Sequence, residues 1–162
     1  MSKPKILGLV IPKTLTKQKE IELSLLVKTF SNAGWILRTN CMTGGNKYVG
    51  NSIPDVRKIL YLPDTTWAED WKIESESVAY PPPVEVIEWA EEELKKHKLP
   101  ITDTNLSLVF VVYGYKSVVP STIILCTDKG FLNRYKDLFT QKVFCTEEKY
   151  QTGLKEYLKN EC

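Results

Sequence analysis

The chain has 162 residues, of which 43% are apolar and 26% charged, a composition that suits one globular domain with a proper core and excludes a disordered chain. A net charge of +2 is too small to argue for nucleic acid or a membrane surface, and no segment approaches the roughly 20 apolar residues of a membrane span. Cys41, Cys126, Cys145 and Cys162 form no CxxC pair and His97 is the only histidine, which disfavours a metal centre and a secreted disulfide scaffold and makes the cytoplasm the expected compartment.

The apolar run Ile6–Ile11 is too short for the core of a signal peptide and is followed by Pro12 and Lys13, not by a small-residue cleavage site. "KILGLVIP" therefore reads as a buried first strand. "TLTKQKEIELSLLVKTFSNAGW" predicts a helix with Thr16 as N-cap and Asn32-Ala33-Gly34 as its stop. Its apolar face is expected from Ile21, Leu25 and Phe30, with Leu26 and Val27 beside them. "WILRT" is a second strand and "VRKILYLP" a third, ended by Pro63 and followed by a polar loop with Trp67 and Trp71. "YPPP" leads into the helix "VEVIEWAEEELKKH", acidic at its start and basic at its end, as the helix dipole favours. "LSLVFVVYGY" fits either helix or strand. "STIILCT" is a strand, "FLNRYKDLF" a short helix, "KVFCT" a last strand and "EEKYQTGLKEYLKN" a terminal helix. This alternation predicts one α/β domain over residues 1–162, a three-layer Rossmann-like unit with a mostly parallel sheet and helices on both faces.

The junction "GWILRTNCMTGGNKYVG" (residues 34–50) puts a polar, glycine-containing turn directly after a strand, where α/β proteins usually keep a ligand. Gly34, Trp35, Arg38 and Gly44 follow the "G-W/Y-x-x-R-S-G-G-A-x-G-A-D" pattern of the SLOG superfamily. "KILYLP" is similar to that family's "IYLP" strand end, "VPSTIILCTDKG" to its "PS-x-F-V-I-C-W-T-x-D-G" segment, and "KVFC" stands where its late strand stands. In this order the chain resembles the small phage-type SLOG proteins akin to DNA-processing protein A. There are departures. Asn40 and Cys41 replace the first loop glycines, Met42 the alanine and Asn46 the terminal acid, and Val10-Ile11-Pro12-Lys13 stands for a Gly-Ser-Arg turn.

A glycine-rich loop lets backbone N–H groups approach a phosphate without Cβ obstruction. Gly44-Gly45-Asn46-Lys47 retains a bare backbone, an amide and a cation. The ligand set expected from resemblance and spacing is Lys13, Arg38, Thr39, Asn40, Thr43, Gly44, Gly45, Asn46, Lys47, Trp67 and Asp128. Trp67 and Trp71 either stack a base or, at i and i+4, form one helical turn packed on the core. Trp89, within the amphipathic helix, belongs to a core or an interface. The Lys95–Lys98 cluster is a solvated helix end or helps steer phosphate.

No catalytic set assembles. SLOG enzymes that cleave nucleotides carry a "P-G-G-x-G-T-x-x-E" loop, whereas "CTDKGFLNRY" has one glycine and no such glutamate. Asp128 reads as a loop acid satisfying local N–H groups, His97 as a cation at a helix end, and Cys41 as a structural thiol.

The resemblance implies non-catalytic binding, and sequestration, of a nucleotide-derived small molecule such as an ADP-ribose-type or cyclic-nucleotide immune signal, by a phage anti-defence protein acting in host cytoplasm. It is expected to work as a homo-oligomer, with no cofactor, metal or membrane partner. A single-stranded-DNA recombination mediator is the alternative, disfavoured by the near-neutral charge. A nucleotide N-glycosidase needs the missing glutamate loop.

Overall fold

A computed structural model describes residues 5–40, 58–61, 77–80, 83–114, 119–147 and 153–155. Six strands, β1 (Ile6–Val10), β2 (Ile36–Asn40), β3 (Lys58–Tyr61), β4 (Ser77–Tyr80), β5 (Ile123–Cys126) and β6 (Lys142–Cys145), form one sheet in the order β4-β3-β2-β1-β5-β6. Every pairing is parallel. The helices are α1 (Lys17–Asn32), α2 (Val84–Lys96), α3 (Asp103–Tyr113) and α4 (Lys129–Tyr135), the last continued by a 3₁₀ turn at Lys136–Leu138. Residues 153–155 are helical as well, within the expected terminal helix.

The central strands carry no polar face because both of their sides are covered. All of β1 and all of β5 are buried. Side chains alternate along them. Leu7, Leu9, Ile123 and Leu125 meet Leu23, Val27 and Phe30 of α1, while Val10, Ile124 and Cys126 meet Val86, Ala90 and Leu94 of α2 and the apolar length of α3. Phe131 and Leu132 of α4 pack against that second core. The result is the expected three-layer α/β fold of Rossmann type.

Thr16 caps α1 as anticipated, its hydroxyl accepting from Lys19 N–H at 3.3 Å. Phe30 then meets Trp35 edge to face across the stop, ring centroids 5.0 Å apart. The buried face of α1 differs from expectation. Leu23, Val27 and Phe30 point inward, whereas Ile21 and Leu25 are 55% and 62% exposed. Two residues along a helix is about 200° around it, so the stripe through Leu23 and the pair Ile21–Leu25 lie on opposite sides. Only one of them can face the sheet.

The ambiguous segment resolves as helix α3. Thr102 caps it by accepting from Asn105 N–H at 3.1 Å. Leu108–Val112 are all buried. A helix enclosed on every side loses its polar stripe, and with it the periodicity that separates helix from strand. Strand β4 was not anticipated. "SVAY" falls inside the stretch read as loop, and its parallel register with β3 (Ile59 with Val78) adds the sheet's outer strand. Tyr80 therefore ends a strand, and Pro83 stands as N-cap of α2. Trp67 and Trp71 lie outside the described residues.

Candidate functional site

Among the described strands the order reverses once. From β1 the chain adds β2, β3 and β4 on one side, then returns to place β5 and β6 on the other. The segment leaving β1 leads to α1 on one face, and that leaving β5 leads to α4 on the opposite face. A crevice opens at the carboxyl ends of two such diverging strands, the usual ligand position of open parallel sheets. Thr127 continues the ladder, its N–H donating to Val10 O at 3.1 Å, and Thr146 N–H donates to Cys126 O at 3.0 Å beside it.

Lys13 and Asp128 meet across this opening, Lys13 Nζ lying 3.4 Å from Asp128 Oδ1. Asp128 Oδ2 also accepts from Phe131 N–H at 2.8 Å, which makes it the N-cap of α4. That is the local loop role read from the sequence. The Lys13 side chain is 76% exposed, so the ion pair contributes at most about 1 kcal/mol to stability.

Two depressions flank the meeting point. On the α4 side a basin of about 280 Å³ is lined by Pro12, Lys13, Asp128, Gly130, Phe131 and Arg134. The Phe131 ring lies 4.3 Å from that of Tyr135 at a tilt of 31°. On the α1 side a smaller hollow of about 30 Å³ is lined by Leu15, Lys19, Glu22, Leu23, Thr127 and Thr146. Thr127 is only 6% exposed there, and its hydroxyl, which is not among the buried unpartnered atoms, keeps contact with solvent. Arg134, Phe131, Thr127, Thr146 and Lys19 were absent from the expected set. The order in which strands pair decides which turns become neighbours, and only "CTDKG" after a strand hinted at this one.

Of the expected ligand residues, Lys13 and Asp128 are brought together. Asn40 ends β2, paired in register with Tyr61. Arg38 and Thr39 are committed to the interior. Thr39 is fully buried and its hydroxyl donates to Leu9 O at 2.9 Å. Arg38 is 3% exposed and its Nη1 donates to Ser121 Oγ at 3.2 Å, on the amino-terminal side of β5. Ser121 Oγ in turn donates to Val111 O near the carbonyl end of α3, where the helix dipole favours a cation. Glycines make room for this. A Cβ on Gly8, the register partner of Arg38, would stand 2.6 Å from Ile124 Cδ1 and 3.0 Å from Ser121 Oγ. Gly114, at φ +69°, would bring a Cβ to 2.7 Å from Val119 O. Thr43, Gly44, Gly45, Asn46, Lys47 and Trp67 lie outside the described residues, as does Cys41.

Below the crevice, Cys126 and Cys145 are in-register neighbours on β5 and β6, both buried free thiols. Burial pushes the Cys126 thiol up to about 12, far from a reactive thiolate. His97 is the C-cap of α2, where a cation is favoured. Lys95 and Lys96 pair with Glu92 and Glu93 at 3.2 and 3.0 Å, and Trp89 packs edge to face on Tyr113. Among the described residues no three His, Cys, Asp or Glu side chains gather as a metal set would, and no helix is long and apolar enough to cross a membrane. No protein-family model, curated protein or solved structure matches the chain.

Proposed function

We propose that this protein binds a nucleotide-derived small molecule in the β1–β5 crevice and holds it without transforming it. One observation carries the reading. Among the described strands the order reverses once, and the two depressions at that junction are lined by Lys13, Phe131 and Arg134 on one side and by Thr127 on the other. Cations for phosphate, an aromatic face for a base and a hydroxyl for a polar edge are groups a nucleotide requires. Resemblance to SLOG proteins supports the same ligand class and extends the proposal to sequestration of an immune signal by a phage anti-defence protein.

The test is mass spectrometry of molecules released by denaturing protein purified from cells that make nucleotide signals. A phosphorylated nucleoside derivative is expected, and prolonged incubation with it should return it chemically intact. Time-dependent release of free base or a ribose fragment, absent from a heat-killed control, would make the protein an enzyme instead. Failure of every nucleotide signal to co-purify or to raise the melting temperature would remove the reading altogether.

A further inference from the structure

The carboxyl ends of β5 and β6 bring two cysteines to one place. Cys126 and Cys145 are in-register partners on these parallel strands, so their Cα atoms stand about 4.8 Å apart, the spacing of neighbouring strands. Both side chains leave the same face of the sheet. Cys126 belongs to the core under α2 and α3. On β6, Val143 packs on that core and Phe144 on the opposite one, so Cys145, two residues beyond Val143, returns to the face of Cys126. Burial raises the Cys126 pKa, and the neighbouring Cys145 thiol raises it further. Neither thiol is bridged in the structure.

Disulfides span Cα separations of about 4.4–6.8 Å, so this pair is within reach. On parallel strands the Cβ atoms keep roughly the strand spacing, whereas a bridge holds them about 3.8 Å apart. Closing the bridge therefore draws the strands together. β6 can yield, because it is the last of the described strands on this side of the sheet and pairs with β5 alone. A bridge closed under such tension is easily reduced, which suits a reversible device better than a fixed crosslink. Its effect falls on the crevice. Cys126 Sγ–H donates to Asp128 O at 3.3 Å, and the same carbonyl accepts from Leu132 N–H at 3.0 Å in the first turn of α4. The Asp128 carboxylate in turn holds Phe131 N–H and meets Lys13. Loss of the thiol proton unties β5 from that turn.

We propose that Cys126 and Cys145 form a reversible disulfide on exposure to peroxide, and that closing it loosens the Asp128 turn at the start of α4 and the basin beside it. Cys145, 4% exposed on the outer strand, reacts first. Its sulfur attacks the peroxide O–O bond, an S–O bond forms, and the departing oxygen leaves as water with the thiol proton. Cys126, fully buried and held far from a thiolate, is the resolving partner. Its sulfur displaces the hydroxyl of the sulfenic acid, which leaves with the Cys126 proton as a second water. Two thiols and one peroxide thus give one disulfide and two waters, the sulfurs losing the two electrons that the peroxide gains. Neither step depends on what occupies the crevice.

Cys41→Ser with Cys162→Ser removes the other two thiols of the chain. Treated with hydrogen peroxide under native conditions, this variant should lose two hydrogens in intact mass and yield tryptic peptides joined through Cys126 and Cys145. Dithiothreitol should reverse both changes. Hydrogen exchange at the Phe131 and Leu132 amides should quicken several-fold in the oxidised form and slow again on reduction, while the amides of α1 stay unchanged. Adding Cys126→Ala should halt the reaction at a sulfenic acid on Cys145, trapped by dimedone. Peptide mapping of the unmodified chain should find the same linked pair, which guards against a folding defect in the variant. Absence of the link from folded protein of both kinds, or its formation only in urea, overturns the proposal. A link that leaves exchange at Phe131 and Leu132 unchanged overturns its effect on the crevice.

Discussion

Asp128 makes two contacts that substitutions separate. Asp128→Ala removes the α4 cap and is expected to lower unfolding free energy by about 1 kcal/mol in a denaturant titration. Asp128→Asn keeps a capping oxygen and should recover most of that loss while abolishing the charge that Lys13 meets. Cys126 offers a second probe at this scale, through pH. Its thiol titrates near 9 when exposed and is raised by burial to about 12 in the fold. Below pH 9 both states keep the proton; above it the unfolded chain releases the proton and the folded chain does not. Stability is therefore complete below about pH 9 and falls as pH rises toward 12, by up to about 1.4 kcal/mol per unit. Tyr113, also raised by burial, joins in above its ordinary value of 10. Melting curves of Cys126→Ala should show a shallower decline between pH 9 and 10 than those of the unmodified protein. The capping role of Asp128 was legible because it depends on residues three positions away. The fate of Arg38 was not, because its partner Ser121 lies 83 residues further along the chain.

Among the elements, α1 shows where local signals stop being sufficient. Its cap and its stop could be read directly, being set by the chemistry of Thr16 and of Ala33-Gly34. Its orientation could not, since apolar residues stand on opposite sides and only the sheet selects between them. Leu23→Ala should cost about 2–5 kcal/mol by thermal or chemical unfolding, as large-to-small changes in a core do. Ile21→Lys and Leu25→Lys should each change stability by less than about 0.5 kcal/mol. A loss of several kcal/mol from either exposed position would show that the outer face of α1 is covered in solution. The same limit explains β4 and α3. "SVAY" is too short to declare itself without the neighbouring β3, and α3 is too thoroughly enclosed to keep a helical pattern.

For the molecule as a whole, charge decides between a compact ligand and a long polyanion. Lys13, Lys19 and Arg134 are confined to the crevice, whereas α2 carries Glu85, Glu88, Glu91, Glu92 and Glu93. A small phosphorylated ligand meets the first group only, while an extended strand soon meets the second. Labelled single-stranded oligonucleotides are therefore expected to bind weakly or undetectably at physiological salt. Tight binding with a slope near −0.7 per neutralised phosphate would replace the nucleotide reading by a recombination role. A nucleotide at about 100 times its dissociation constant should meanwhile raise stability by about 2.7 kcal/mol.

The crevice is built from two distant segments of the chain that meet late. Ile6 N–H donates to Thr122 Oγ1 across 116 residues, and β1 holds β5 against it in register. During synthesis β1 to β4 emerge first, leaving β1 as an unpaired apolar edge until β5 is made, the kind of edge that recruits wrong partners. Thr127, Asp128 and α4 reach Lys13 and α1 only when that edge is sealed. A ligand held there would thus double as proof of maturity: partly made chains have no crevice to offer, and a molecule spanning it would lock the seam whose closure completes the sheet.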